Sequence, residues 1–390
     1  MDSLRWQMKT NPLGNLSPEV FLAEYWQKKP LLIRQALPGI KPPIVADELA
    51  GLACEEDVES RLIIQDPQSD QWELSHGPFT DATFSSLPIT HWTLLVQAVD
   101  HWVPAAADLL AQFYFIPSWR VDDLMISYSG DKGGVGPHYD NYDVFLVQVS
   151  GRRQWEVGGI YDETSPRRSD VPVKILSEWK PVQRWILEPG DLLYVPPRVG
   201  HNGIAVGEDC MTCSVGFRAP SHRDILLDYS ESVGEALSEE VRYADPDLVP
   251  QANPGQITSE AVEKVQKIFT RYVEDDDKLV QWFGCYMTSP KYHDEEMAPE
   301  EHRLEEVRTH LSEGGKLVRN EGSRFAFHEH GQNIWLFVDG RQYTCSGLMT
   351  DLVKTLCAER QIGPEHFVPS EGHDSLLLDL LSHGSLYLSS

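Results

Sequence analysis

The segment from Gly133 to Arg153 reads GGVGPHYDNYDVFLVQVSGRR, a glycine-rich approach followed by an apolar run and a tight turn. His138 and Asp140 stand two apart at the head of a run that is typical of a β-strand. Residues i and i+2 of a strand project from the same face, so an imidazole and a carboxylate would lie side by side. This is the arrangement of two metal ligands. The glycines are interpreted as a loop and not as a phosphate cradle, because no helix follows them.

A second motif supplies a third ligand. It reads PGDLLYVPPRVGH, from Pro189 to His201, and consists of a turn, a strand, a proline break and a histidine just beyond it. Two histidines and one carboxylate on one face form the facial triad that suits non-haem Fe(II) and leaves three coordination positions open. Zinc is the alternative metal, although dedicated zinc sites more often use cysteine or close their ligand shell. With 14 histidines in the chain, the His-x-Asp pair alone could also be accidental.

Arg153 indicates what would occupy the open positions. In the strand after the turn, alternation places Arg153 on the same face as Trp155 and Val157. A guanidinium on the apolar inner face of a barrel is costly unless it is paired, and arginine binds carboxylates bidentately. An internal ion pair with Asp143 or Asp191 would satisfy it. So would the distal carboxylate of 2-oxoglutarate, whose 2-oxo acid end chelates the metal.

Composition and charge limit the class of protein. The 390 residues suffice for two or three domains, and 41% of them are apolar. With 60 acidic and 33 basic residues the formal net charge is -27, which disfavours nucleic acid and membrane surfaces and favours either a basic partner or simply solubility. No run approaches the roughly 18 apolar residues of a membrane span, so we expect a cytoplasmic protein. The six cysteines, including Cys210-x-x-Cys213, are interpreted as structural rather than as a zinc or redox site.

The order of patterns along the chain predicts three domains. Residues 1–220 are expected to hold a small β-barrel with N-terminal helical and strand elements, 221–290 a helical region, and 291–390 a winged-helix-like unit with a hairpin over Asp339-Gly340. The middle helices are too few for a core of their own, so they pack against the barrel or a second copy of the chain. The candidate barrel strands are Leu124–Ser129, Asp143–Val149, Gln154–Val157, Val182–Leu187, Asp191–Val195 and Met211–Phe217.

These motifs, together with SVGFRAP from Ser214 to Pro220, resemble the bacterial ribosomal oxygenases of the JmjC/cupin superfamily, and among them the arginine hydroxylases. The resemblance covers the order of the whole chain. It implies an α+β protein in which a double-stranded β-helix, or jelly roll, is followed by a helical dimerisation region and a winged-helix-like C-terminal domain.

The same resemblance implies the site and the reaction. Fe(II) would be held by His138, Asp140 and His201, and 2-oxoglutarate by Arg153, with Ser127 on the neighbouring strand as a further contact. A homodimer would hydroxylate the β-carbon of an arginine in a basic large-subunit ribosomal protein, consume O2 and release succinate and carbon dioxide. Alternatives stay open: hydroxylation of a histidine in another ribosomal protein, hydroxylation of a small molecule, or a non-catalytic cupin that binds a partner.

Overall fold

The protein was analysed as a computed structural model that describes residues 11–291, 302–367 and 370–389. The chain divides into two compact units, Met1–Ala219 and Pro220–Ser390. The boundary between them falls beside the predicted end of the barrel domain. The further division of the second unit into a helical region and a winged-helix-like region stays a prediction.

The first unit contains both helices and strands, with the strands concentrated in its second half. Its helices are α1 (Pro18–Glu24), α2 (Ala46–Leu52), α3 (Asp81–Ser85) and α4 (Pro104–Ala111). Its strands are β1 (Leu31–Ile33), β2 (Ser60–Gln65), β3 (Trp72–His76), β4 (Trp92–Val96), β5 (Val121–Ser129), β6 (Val144–Ser150), β7 (Arg153–Ile160), β8 (Gln183–Leu187), β9 (Leu192–Val195), β10 (Val199–Ala205) and β11 (Cys210–Phe217). Each of the six predicted barrel strands is present, and β10 was not predicted.

The strands form two antiparallel sheets that face each other as a double-stranded β-helix. The larger sheet has the order β1-β9-β6-β11-β5-β4-β2-β3, and the smaller sheet has the order β10-β7-β8. Alternation along β6 explains how the larger sheet packs on both faces. Val144 and Leu146 belong to the core between the sheets, whereas Phe145 and Val147 belong to the core under the helices. The larger sheet is therefore the middle layer of the unit.

The N-terminal elements are joined to this barrel by strand pairing and aromatic packing. β1 pairs with β9 at one edge of the larger sheet, and β4 pairs with β5. Ser17 caps α1 by accepting a hydrogen bond from the Val20 N–H through its side chain. Phe21 of α1 is fully buried, and its ring centroid lies 4.9 Å from that of Tyr194 and 5.4 Å from that of Phe145. The unit thus includes the N-terminal segment as part of its core.

Two buried carboxylates reinforce the same connection. Asp143 accepts hydrogen bonds from the Tyr194 hydroxyl at 2.5 Å and from Nε2 of Gln27 at 2.9 Å. Burial raises the pKa of the Asp143 carboxyl, and these two hydrogen bonds oppose that shift. Asp191 lies 2.6 Å from Nη1 of Arg34. The residues around α1 and β1 therefore satisfy charges that belong to the barrel strands.

The second unit also mixes helices and small sheets. Its helices are α5 (His222–Glu235), α6 (Ser259–Val273), α7 (Asp276–Thr288), α8 (Leu304–Ser312), α9 (Met349–Ala358) and α10 (Glu371–Ser382). Its strands are β12 (Lys316–Arg319), β13 (Phe325–His330), β14 (Asn333–Val338), β15 (Arg341–Ser346), β16 (Gln361–Ile362) and β17 (Leu386–Ser389). The strands form the sheets β16-β12-β17 and β13-β14-β15, which share a core with α8, α9 and α10.

The hairpin predicted over Asp339-Gly340 is confirmed. Both turn residues have positive φ, 48° and 78°, and β14 pairs with β15 across the turn. The wing has three strands rather than two, because β13 also pairs with β14. Position Pro299, where the sequence allows a helix to open, lies outside the described residues, and helix α8 buries Val307 and Leu311. No helix in the described part of the chain is both long and apolar enough to cross a membrane.

Helix α6 carries an exposed apolar face. Thr258 caps the helix by accepting a hydrogen bond from the Ala261 N–H. None of the helix residues is buried in the single chain. The side chains of its apolar face are between 42% and 67% exposed: Val262, Val265, Ile268, Phe269 and Val273. Helix α6 is therefore amphipathic, and its apolar face is exposed in the single chain.

Candidate metal centre

The three predicted ligand residues converge. One ligand atom from each of His138, Asp140 and His201 lies within 4.8 Å of the other two. Asp140 Oδ2 is 3.5 Å from His201 Nε2 and 3.9 Å from His138 Nε2. The His201 side chain is 3% exposed, whereas those of His138 and Asp140 are each 23% exposed. The cluster is thus buried on one side and open to solvent on the other.

His138 and Asp140 lie in the loop between β5 and β6, and the expectation that they begin a strand is wrong. The strand starts only at Val144. Their common direction has another cause, because His138 forms a bridge with His201 in which each backbone N–H donates to the carbonyl of the other residue, at 3.0 and 2.8 Å. The N–H of Arg198 then donates to the Asp140 carbonyl at 2.6 Å. This ladder holds the loop extended along β10.

His201 lies inside β10, not beyond the end of a strand as expected. The strand pairs with β7, and His201 is opposite Val157, so its side chain shares the inner face of the barrel. Two prolines, Pro196 and Pro197, precede the strand, and Gly200 and Gly203 lie within it. Proline and glycine are both depleted in strands, which explains why the pattern resembles a loop.

Both imidazoles present the same nitrogen to the cluster. Nδ1 of His138 is 2.9 Å from the Gly136 carbonyl oxygen, and Nδ1 of His201 is 3.1 Å from the Val199 carbonyl oxygen. Because a carbonyl only accepts, each Nδ1 carries the proton and each Nε2 keeps a lone pair for a metal. Burial, and secondarily the neighbouring His138, lower the pKa of His201 to about 4, so its ring is neutral at neutral pH.

Close backbone contacts explain the glycine-rich approach to the ligands. A Cβ atom on Gly133 would lie 2.0 Å from the Trp92 carbonyl oxygen, and one on Gly134 would lie 2.5 Å from the Gly203 carbonyl oxygen. Gly136 has a φ of +80°, a conformation that side chains disfavour. The glycines allow the loop to pass between strands β4 and β10. They serve chain packing, as the loop interpretation predicted.

Arg153 lies on the inner face of the barrel, and among the described residues no carboxylate pairs with it. Its side chain is buried, Nη2 donates to the Ser129 hydroxyl at 2.7 Å, and Nε has no hydrogen-bond partner. The internal ion pairs with Asp143 or Asp191 are not formed, because those carboxylates bind other groups. A buried guanidinium with a spare donor fits a carboxylate that arrives as a ligand.

Further donors and hydroxyls surround Arg153. The indole N–H of Trp155 is buried without a hydrogen-bond partner in the described chain, and its ring centroid lies 5.9 Å from that of His201. Ser127 lies on the inner face of β5, two residues before Ser129, and its hydroxyl donates to a backbone carbonyl at 3.4 Å. Sequence reasoning named Ser127 and missed Ser129. Alternation puts both serines on the same face and does not select between them.

Together the fold and the cluster define a class of protein. The class is a double-stranded β-helix in which two histidines and a carboxylate converge beside a buried arginine. A JmjC domain family model matches residues 108–225. A ROXA-like winged helix family model matches residues 271–387, which covers the region of the three-stranded wing.

Relatives and solved structures extend the likeness to most of the chain. Ribosomal protein uL16 3-hydroxylase from Escherichia coli (strain K12) is 39% identical over 309 residues, 78% of this chain and 80% of that protein. A probable ribosomal oxygenase from Haemophilus influenzae is 38% identical over 235 residues, 60% of this chain and 55% of that protein. The X-ray structure of E. coli YcfD matches with a TM-score of 0.88 at 32% identity, over 96% of this chain and 99% of that chain. The chain belongs to this family of ribosomal oxygenases.

One matching structure contains a metal ion together with 2-oxoglutarate. It is YcfD, a ribosomal oxygenase from Escherichia coli, in complex with cobalt and 2-oxoglutarate. It matches with a TM-score of 0.85 at 32% identity, over 96% of this chain and 99% of that chain.

Proposed function

We propose that the protein is an Fe(II)- and 2-oxoglutarate-dependent oxygenase that hydroxylates the β-carbon of an arginine in a large-subunit ribosomal protein. The observation that carries this proposal is the convergence of His138, Asp140 and His201 beside the buried Arg153, which pairs with no carboxylate among the described residues. It is supported by the name of one relative and by the ligands of one solved structure. One is a uL16 3-hydroxylase, and the other was solved with cobalt and 2-oxoglutarate.

The residues present fit the metal. Two imidazole Nε2 atoms and one carboxylate make the ligand set that suits non-haem iron and leaves positions for a chelating cosubstrate and O2. Cysteine takes no part in the cluster, since Cys210 and Cys213 are buried free thiols of β11. A dedicated structural zinc site is therefore the weaker assignment.

The residues also fit the cosubstrate. Nε of Arg153 and the indole N–H of Trp155 are buried donors without a partner in the described ranges, and the Ser129 hydroxyl adjoins the guanidinium. A carboxylate among them would receive charge-assisted hydrogen bonds in a site of low dielectric. Ser127, on the same face of β5, remains in the proposal as a further cosubstrate contact.

When bound, iron and 2-oxoglutarate supply the oxidising chemistry, in which O2 is consumed and succinate and carbon dioxide are released. The protein supplies position and environment. The hydrogen bonds from Nδ1 to the Gly136 and Val199 carbonyls hold the two imidazoles in one tautomer and one orientation. Arg153 orients the cosubstrate by its distal carboxylate, and the apolar core around Val157 keeps water from the inner side of the site.

The substrate is basic, in keeping with the net charge of -27, and the protein acts in the cytoplasm without binding nucleic acid. It works as a homodimer, which would bury the exposed apolar face of α6. Residues 1–220 form the catalytic domain, 221–290 the dimerisation region and 291–390 the winged-helix-like domain.

Mass spectrometry of ribosomal proteins from cells with and without this chain tests the function. We expect one large-subunit protein to lose the mass of one oxygen when the chain is absent, and fragmentation to place that oxygen on the β-carbon of an arginine. The wild-type chain should restore it, whereas the Asp140→Ala variant should not. Identical masses in both strains would refute the proposal. An added oxygen on a histidine would instead support the alternative, hydroxylation of a histidine in another ribosomal protein.

A further inference from the structure

Behind the ligand cluster, the connection between β7 and β8 forms a flap, residues 161–182. A bridge between Arg167 and Leu176 folds the flap back on itself. Leu176 is buried, and its N–H donates to the carbonyl of Pro137 at 2.8 Å. Pro137 immediately precedes His138. The flap is therefore bonded to the backbone of the ligand loop itself.

Tyr139 stands between two of the ligands and faces the flap. Its ring is stacked on that of Tyr161, with centroids 6.3 Å apart and planes 12° from parallel. The Arg167 guanidinium lies 5.0 Å from the centre of the Tyr139 ring, and Nη2 donates to the Tyr139 hydroxyl at 2.7 Å. Side chains alternate along an extended segment. Contacts that fix Tyr139 on one side of the segment therefore direct His138 and Asp140 to the opposite side.

The same aromatic layer continues behind the third ligand. A Cβ atom on Gly200 would lie 2.4 Å from the ring of Tyr161 and 2.8 Å from that of Trp179. Because Gly200 and His201 are adjacent in β10, both rings lie on the face of the strand opposite the imidazole. Trp179 packs with Tyr161 at 6.2 Å and donates its indole N–H to Glu156 at 2.9 Å. The aromatic layer that contains Tyr161 therefore packs against the backbone of all three ligands, on the side opposite their side chains.

We propose that Arg167, Tyr139 and Tyr161 are positioning residues for the metal centre. None of them is one of the three predicted ligands, and they act by fixing the direction in which the ligand loop presents His138 and Asp140. The inference rests on the proposed function and adds that the metal affinity depends on a flap outside the ligand motifs. Groups that orient metal ligands typically change the affinity about 10–100-fold when they are removed.

Binding of Co(II) to the whole chain tests this inference, because it needs neither substrate nor turnover. The titration yields a dissociation constant, and the visible absorption of the bound ion reports its coordination geometry. We expect Arg167→Ala and Tyr139→Leu to raise the dissociation constant about tenfold or more and to change the visible bands. Tyr139→Phe, which keeps the ring and removes only the hydroxyl, should have an intermediate effect.

Lys174→Ala is the matched control, since it removes an exposed cation from the same flap. It should leave the dissociation constant and the spectrum of bound Co(II) unchanged. Wild-type affinity and spectrum in both Arg167→Ala and Tyr139→Phe would overturn the inference and leave the proposed function standing. An equal effect of Lys174→Ala would overturn it in favour of a general charge effect. If the wild-type chain binds no Co(II), the proposed function fails as well.

Discussion

Arg153 is a buried charge, and the Ser129 hydroxyl is its hydrogen-bond partner among the residues that the structure describes. Burial of an uncompensated charge costs several kcal/mol, so such a group is stable chiefly when a ligand completes it. Alternation in the sequence placed the guanidinium on the inner face correctly. The choice of Ser129 over Ser127 as its partner depends on how β5 and β7 lie across the barrel, which no local pattern encodes.

Removal of the Arg153 guanidinium should selectively weaken the binding of 2-oxoglutarate. A charge-assisted hydrogen bond contributes about 1.5–3 kcal/mol, so we expect Arg153→Ala to raise the apparent KM for 2-oxoglutarate by about tenfold or more. Initial rates at varied 2-oxoglutarate measure it, and Co(II) affinity without cosubstrate should stay unchanged. Ser129→Ala should cause a smaller increase, and Ser127→Ala tests the predicted contact. An unaltered KM in Arg153→Ala would exclude the residue from the site.

The buried imidazole of His201 makes the metal-free protein sensitive to acid. Burial lowers the pKa of His201 in the folded state from 6.5 to about 4. Between these two pH values the imidazole is protonated in the unfolded chain and neutral in the folded chain. Stability should therefore fall as the pH drops from about 6.5 toward 4. Thermal unfolding of the metal-free protein at pH 7 and pH 5 checks this sign. The decrease should be smaller in His201→Ala, and equal decreases would show that His201 does not contribute.

At the scale of elements, sequence patterns found the strands with regular apolar alternation and missed the strand that carries a ligand. β10 was hidden by Gly200 and Gly203, which read as loop residues. The same two glycines make room for rings, Gly200 for Tyr161 and Gly203 for Trp155. The residues that obscured the strand are thus the residues that let it pack beside the metal centre.

The ligand loop shows the opposite error. The spacing of His138 and Asp140 singled out two side chains that converge with His201, but the strand assigned to them is absent. Their extended conformation comes from the bridge between His138 and His201, two residues far apart in the chain. Local periodicity cannot reveal such a contact, although it can identify the side chains that the contact brings together.

A methyl group at Gly203 should disturb the site through Trp155. A Cβ atom there would lie 2.7 Å from the Trp155 ring, so Gly203→Ala must displace the indole. Overpacking of this kind typically costs about 1–3 kcal/mol of unfolding free energy. Denaturant unfolding and the KM for 2-oxoglutarate measure the two effects. Gly159→Ala in β7 is the control, because no atom of the described residues lies within 4 Å of its Cβ position. Equal behaviour of the two variants would contradict the prediction.

At the scale of the molecule, the net charge of -27 should govern association with a basic substrate. Attraction between exposed charges is screened by salt, so affinity for a basic ribosomal-protein fragment should weaken steadily as ionic strength rises. Titration calorimetry at several salt concentrations measures the trend. An affinity that stays constant would mean that the acidic surface serves solubility alone.

The exposed face of α6 should decide the oligomeric state. If a second copy covers it, a carboxylate at Phe269 would be buried without a partner, so Phe269→Asp should convert the dimer into a monomer. Sedimentation analysis gives the mass directly. Thr270→Asp adds the same charge to the neighbouring position, away from the apolar face, and should leave the dimer intact. A wild-type chain that sediments as a monomer would rule out the dimer.

The segment that matches the JmjC family model, residues 108–225, is smaller than the first compact unit. Taken alone, it would lack β1 and β4, the sheet neighbours of β9 and β5. It would also leave Asp143 without Gln27 and Asp191 without Arg34. We therefore expect residues 108–225 to be less stable without the preceding helix and strands. Recombination that exchanged this segment between relatives would have to move the preceding helix and strands with it.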